Sequence, residues 1–290
     1  MGFISGLMRL TRVEHSIMLV VAVAAAELIS GGLPALPKLI LSFVTPIFIS
    51  MGSFAINDYF DVESDRHNKR VDRPIVSGEI TRRSALVVSA CSFAVGVIAS
   101  IFINAYALFI AAIFALLAVL YSYKLKDVIL LGNLYIGLSM AIPFLYGNFV
   151  VSQELSTAIV AIFFIAFLSG LAREIHGMIR DYRGDLSARK TRNLVHYIGG
   201  QRAAMLAFLL YAEAILISIF VFFFVKPFVF SLVYAVFIGI GDILLAYTAT
   251  VCMMHVNSRS VYLSARNISL AAMGIVLIGY LLVPLVHITV

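Results

Sequence analysis

An all-α, multi-span transmembrane bundle of about nine helices is the fold class this sequence predicts, and three observations predict it. The 290-residue chain is 62% hydrophobic and only 12% charged, whereas soluble domains keep about a quarter of their residues charged. Its mean hydropathy is +1.04, and apolar runs of spanning length recur from end to end. Lys and Arg, finally, are confined almost entirely to alternate connections between those runs.

A helix needs about 20 apolar residues to cross the hydrocarbon core. Nine segments qualify or nearly so: 16–31, 36–57, 84–102, 105–121, 129–150, 155–178, 203–225, 228–254 and 269–288. The first is short and interrupted by Glu27, which reads as a tilted or partial span. It does not read as a cleaved leader, since no small-residue cleavage site precedes a soluble mature domain. With these spans, 19 of the 21 basic residues fall on one side, in the N-terminal segment (Arg9, Arg12) and the connections 58–83, 122–128, 173–202 and 255–268; only Lys38 and Lys226 fall on the other. The positive-inside rule makes the basic side cytoplasmic, with the N-terminus inside and the C-terminus outside. The same asymmetry supports an odd number of spans, since an even one would scramble it.

Neither a low-complexity stretch nor a long linker divides the chain, so residues 1–290 read as a single cell-membrane domain. A weak internal echo is present, because each half contains a long apolar helix that ends in an acidic motif and a basic connection. The formal charge of +6 is topology signal and contact with anionic membrane lipids. No aromatic residues interleave with Arg in a soluble segment, which excludes nucleic acid as a partner. Cys91 and Cys252 lie within spans and read as buried thiols, and the six His residues show no paired metal-ligand spacing.

Chemistry gathers at two places. Asn57, Asp58, Asp61 and Asp65 follow the second span, with the three carboxylates at i, i+3 and i+7 on one helix face. Asp181 and Asp185, at i and i+4, follow the sixth span. A single Asp at a helix end is ordinarily a solvated loop residue. Two carboxylate faces at equivalent helix ends are different, because like charges so close repel unless a cation neutralises them. Hard oxygen ligands suit Mg2+, which binds through a few carboxylates plus substrate phosphates. Metal-ligand candidates are therefore Asn57, Asp58, Asp61, Asp65, Asp181 and Asp185, and two such faces across a cavity would clamp a diphosphate. Candidate phosphate-binding residues are Arg12, Lys69, Arg73, Arg180 and Arg183, with further basic residues at Arg66, Arg70, Arg189, Lys190 and Arg192. Tyr121, Tyr123, Lys124 and Lys126 form a smaller set on the same side. Glu27, Glu213 and Asp242 are unusual charges within spans, and Asp242 between Gly239 and Gly241 is a candidate to line the cavity. The acids gather at one end of the spans rather than at the bilayer midplane, which argues against an ion transporter.

These motifs resemble those of the UbiA family of intramembrane prenyltransferases. Asn57-Asp58-x-x-Asp61-x-x-x-Asp65 is similar to its first aspartate-rich motif, the run from Arg66 through Asp72-Arg73-Pro74 to Gly78 to its following loop, and Arg173-Glu174 through Arg180-Asp181 to Asp185 to its second motif. The resemblance covers essentially the whole chain and implies a helical bundle around a central cavity open to the cytoplasmic side. It implies Asp58, Asp61, Asp65, Asp181 and Asp185 as catalytic residues holding Mg2+, with Asn57, Arg12, Lys69, Arg73, Tyr121, Lys124, Arg180 and Arg183 at the substrates. The likeness is nearest to archaeal members that form the second ether bond of membrane lipids. That implies transfer of a geranylgeranyl group from its diphosphate to the hydroxyl of geranylgeranylglyceryl phosphate, with no obligatory protein partner. Prenylation of an aromatic acceptor such as 4-hydroxybenzoate or a naphthoate is the alternative. Two departures stand out: relatives often carry Lys-Asp where this chain has Gly177-Met178, and Arg183 stands where an acid is frequent.

Overall fold

The structure, a computed structural model, describes residues 2–188 and 193–288, with the side chains of 3, 183–188, 287 and 288 outside the description. Regular structure among the described residues is entirely helical. In order the helices are α1 (Phe3–Thr11), α2 (Val13–Ser30), α3 (Leu36–His67), α4 (Arg82–Ile101), α5 (Ala105–Tyr123), α6 (Leu131–Val151), α7 (Thr157–Ala188), α8 (Leu194–Ile198), α9 (Gly200–Phe224), α10 (Leu232–Met254) and α11 (Arg259–Ile288). Nine of these, all but α1 and α8, are long and apolar enough to cross a membrane. Their outward faces carry side chains such as Phe109, Phe220 and Ile243 in exposed positions, as expected where the surrounding solvent is lipid.

Helix starts follow local chemistry. Asn104 accepts a hydrogen bond from the Ala107 amide at 2.8 Å, and Thr81 accepts from Ser84 at 3.0 Å. Both satisfy donors that the first turn leaves open. Pro37 stands in the first turn of α3, where its missing N–H costs nothing. Three boundaries differ from the hydropathy reading by ten residues, because a helix keeps its internal hydrogen bonds where its side chains turn polar. Helix α3 runs ten residues past position 57, to His67, and α7 runs past 178 to Ala188. Helix α11 starts at Arg259 rather than 269, since Ser260, Ser264, Arg266 and Asn267 lower hydropathy without breaking helix. The amphipathic α1 is too short and mixed to register as a span.

The chain divides into two compact units. The first comprises Met1–Val23 and Leu33–Lys126, the second Ala24–Gly32 and Asp127–Val290. In the first, α3 packs on α4, α5 and α1. Small residues let α3 and α4 approach closely: a Cβ at Gly52 would meet Phe93 at 2.8 Å, and Ser89 Oγ donates to the Gly52 carbonyl at 2.9 Å. Lipid gives helices no hydrophobic drive to associate, so such close packing and interhelical hydrogen bonds hold them. Leu10, Ala55, Val62, Ile75, Ile80 and Ala85 form this unit's buried cluster beneath the acidic motif.

In the second unit α7 packs on α6, α9 and α11, and α10 packs on α9 and α11. Its core includes Ala172, Ile175, Met178, Ala203, Ala207, Tyr211, Leu245 and Ala249. Asp242 is held by the Ser218 hydroxyl, an internal pairing of α10 with α9. Glu27 is fully buried and Glu213 exposed. Cys252 is buried as expected, whereas Cys91 is exposed. A thiol is a small apolar group, and in a spanning helix such a group sits as readily on the outward face as in the core.

Candidate active site

Helix α3 carries Asp58, Asp61 and Asp65 out of solvent, with relative exposures of 2%, 7% and 4%. Charges buried to this degree require partners, and three basic side chains provide them. Arg12 caps the C-terminus of α1 in a left-handed conformation, φ 46°. From there its guanidinium lies over the Phe54 ring, 4.5 Å from the centroid, and Nη2 donates to Asp58 Oδ1 at 2.9 Å. Arg73 Nη1 donates to the same oxygen at 2.8 Å, and its Nε lies 3.6 Å from Asp65 Oδ2. Lys126 Nζ lies 2.5 Å from Asp61 Oδ1. Asp58 Oδ2 is buried without a hydrogen-bond partner.

The connection between α3 and α4 delivers Arg73. Ile75 and Ile80 anchor it in the buried cluster, and the Ile80 amide donates to the Pro74 carbonyl at 3.1 Å. Arg9 of α1 clamps the same connection through Glu79 and the Asp72 carbonyl. Helix α1 passes so close there that a Cβ at Gly6 would stand 3.1 Å from Glu79. The Arg9 hydrogen bond holds the Glu79 carboxyl below the usual carboxylate range. One short helix thus positions Arg12 directly and Arg73 through its loop.

Among the expected site residues of this unit, Arg12 and Arg73 reach the carboxylates. Asn57 and Tyr121 are half-buried, and Lys69 and Lys124 are exposed. Of the two lysines in the set Tyr121, Tyr123, Lys124 and Lys126, Lys126 is the one against an aspartate: α5 ends with Lys124 at its C-cap, and the 3-10 turn Leu125–Asp127 puts Lys126 against Asp61. The pairing of Arg9 with Glu79 was not visible from sequence, its partners being 70 residues apart.

On α7, Arg180 grips Asp181 in a fork, Nε to Oδ1 at 2.9 Å and Nη2 to Oδ2 at 2.5 Å. The side chains of Arg183 and Asp185 lie outside the described residues, as do Arg189, Lys190 and Arg192. Met178 belongs to the core of its unit, with Asn133 Nδ2 3.3 Å from its sulfur, so this position supplies packing and no ligand.

Among the described residues no three His, Cys, Asp or Glu side chains stand gathered as a ready cation cage. The donor set nonetheless fits Mg2+. It offers hard carboxylate oxygens on one helix face, one of them, Asp58 Oδ2, buried and without a hydrogen-bond partner.

The sequence pattern of the UbiA prenyltransferase family matches residues 18–270, a stretch that includes both acidic motifs. The chain belongs to the UbiA prenyltransferase family. It is 36% identical over 279 residues to the digeranylgeranylglyceryl phosphate synthase of Archaeoglobus fulgidus, a match covering 96% of this chain and 94% of that one. A solved structure of a digeranylgeranylglyceryl phosphate synthase aligns with a TM-score of 0.80 and 29% identity, over 98% of this chain and 99% of the other. A UbiA homologue from Archaeoglobus fulgidus, solved with DMAPP and Mg2+ bound, shares the fold at a TM-score of 0.66 and 18% identity, over 94% of this chain and 98% of its own. This UbiA chain is therefore an intramembrane prenyltransferase and a multi-pass membrane protein.

Proposed function

We propose that this enzyme transfers the geranylgeranyl group of geranylgeranyl diphosphate to the hydroxyl of geranylgeranylglyceryl phosphate, forming the second ether bond of archaeal lipids. The 36% identity to a digeranylgeranylglyceryl phosphate synthase over nearly the whole of both chains carries this reading. In the reaction the allylic C1–O bond to diphosphate breaks, the acceptor oxygen bonds to C1, and the hydroxyl proton passes to the departing diphosphate.

In this reading Asn57, Asp58, Asp61, Asp65, Asp181 and Asp185 hold Mg2+, in keeping with the UbiA homologue of the same fold solved bound to DMAPP and Mg2+. When bound, Mg2+ neutralises the charge that develops on the leaving diphosphate. Arg12, Arg73 and Lys126 serve in turn as counter-ions. In the arrangement described they neutralise Asp58, Asp65 and Asp61. Once a cation takes the carboxylates, the same three side chains are available to the diphosphate oxygens, already positioned and needing no large rearrangement. Apolar spanning helices exclude water from the allylic cation, which would otherwise be hydrolysed. The basic connections read as cytoplasmic, with the N-terminus inside.

Product analysis tests the reading. Purified protein in detergent with Mg2+, geranylgeranyl diphosphate, geranylgeranylglyceryl phosphate and 4-hydroxybenzoate is expected to yield a diether phosphate, and EDTA is expected to abolish it. A prenylated benzoate instead would keep the chemistry and overturn the acceptor.

A further inference from the structure

The second unit contains two basic groups, Arg173 and Arg266, that are paired with no aspartate of the acidic motifs among the described residues. Arg173, Gly177 and Arg180 stand at i, i+4 and i+7 on α7, which places them on one face. Gly177 leaves that face open. A Cβ built there meets no atom of another helix, and nothing closer than Arg180 Nη2 at 4.0 Å. Arg173 Nε is out of solvent and has no hydrogen-bond partner. The polar start of α11 packs on this part of α7, with the Tyr262 ring against His176 and Ile179 packed on the cluster of Tyr262 and Ala265, which brings Arg266 to the neighbourhood of Arg173. His176, one position before Gly177, is 6% exposed with its Nε2 also lacking a hydrogen-bond partner. Its ring sits 5.6 Å from that of Tyr211 and 5.4 Å from that of Tyr262.

Guanidiniums on adjacent helices beside an open glycine favour an anion. Glu174 and Asp181 on the same helix offset part of the charge, and Asp181 is already committed to Arg180. One positive charge is left over among these five groups. The next position, Met178, is buried and apolar, so it brings no carboxylate to that face. A guanidinium presents a rigid fork of donors that matches phosphate oxygens, and two of them from different helices can hold one phosphate group.

We propose that Arg173 and Arg266, over the opening at Gly177, bind the phosphate monoester of the lipid acceptor. The assignment rests on the function proposed above for its substrate: that reading gives the diphosphate to Arg12, Arg73 and Lys126, which leaves these arginines for the acceptor. It sets specificity for a phosphorylated alcohol over an uncharged or aromatic one.

The test separates the two readings. Wild-type protein in detergent is titrated with dodecyl phosphate, with dodecanol as control, and binding is followed by thermal stabilisation. Arg266→Gln and Gly177→Leu are treated identically, and all three are assayed with geranylgeranyl diphosphate and geranylgeranylglyceryl phosphate. The expected result is stabilisation by dodecyl phosphate alone, weakened about tenfold in each variant. The KM for the acceptor should rise by a similar factor, with the KM for the diphosphate unchanged. Should the wild type make no diether yet bind dodecyl phosphate in this variant-sensitive way, the acceptor assignment falls and the phosphate site stands. Equal binding by wild type and variants, or a raised KM for the diphosphate alone, overturns the site. Arg266 is exposed, so its substitution keeps the test valid even if Gly177→Leu does not fold.

Discussion

Asp58 bears the most at the residue scale, because its Oδ1 accepts from two guanidiniums while its Oδ2 has no hydrogen-bond partner. Asp58→Asn keeps an oxygen for Arg12 and Arg73 but loses the charge that draws a cation. Turnover is expected to fall by about 100-fold or more, with a nearly unchanged melting temperature. Asp58→Ala removes the acceptor as well and leaves two guanidiniums facing each other, a loss of about 3 kcal/mol for a broken buried pair. Comparing the two variants by turnover and thermal melting separates chemistry from folding. Lys126 makes a second prediction: Lys126→Met is expected to lower turnover by about tenfold or more, and Lys124→Met, at an exposed side chain, by less than twofold. Assays of the two side by side decide it. Sequence pointed to the three aspartates and to Arg12 and Arg73 through charge and spacing. It did not distinguish Lys124 from Lys126, because that choice depends on where α5 stops and the 3-10 turn begins.

Single elements carry two further expectations. Helix α1 holds the loop bearing Arg73 through Arg9 and Glu79. Glu79 has its folded pKa depressed, so its contribution to stability is present above the unfolded carboxylate value and disappears as pH falls through the folded one. Wild type should accordingly melt above Glu79→Gln at neutral pH, and the two should converge in the acid range; thermal melts across pH show whether they do. The second expectation concerns α3 against α4. Gly52→Leu forces a side chain into the space of Phe93, where even a Cβ would stand at 2.8 Å, and is expected to destabilise the protein by about 1–3 kcal/mol. Melting in detergent measures that. Helix existence was legible in hydropathy, whereas the extensions of α3, α7 and α11 and the whole of α1 were not. A hydropathy window sees the solvent a segment prefers, while a helix ends where its backbone hydrogen bonds do.

For the whole molecule, nine helices among the described residues are long and apolar enough to cross a membrane, and an odd number of crossings would leave the two termini on opposite sides. With the proposed orientation, a reporter fused at the C-terminus should be accessible from outside the cell and one at the N-terminus should not; reversed accessibility would invert the topology while leaving the fold intact. Composition, apolar run length and the placement of charged residues determined the helical class, the expected number of spans, the membrane setting and the acidic motif, because each follows from the sign and polarity of side chains read in order. Tertiary structure alone decided which cation meets which carboxylate, that Asp242 is held by Ser218, that Cys91 faces outward, and that Gly177 opens between arginines of α7 near one from α11. Those outcomes depend on contacts between residues tens of positions apart, whose geometry is set by helix packing and by where each helix ends.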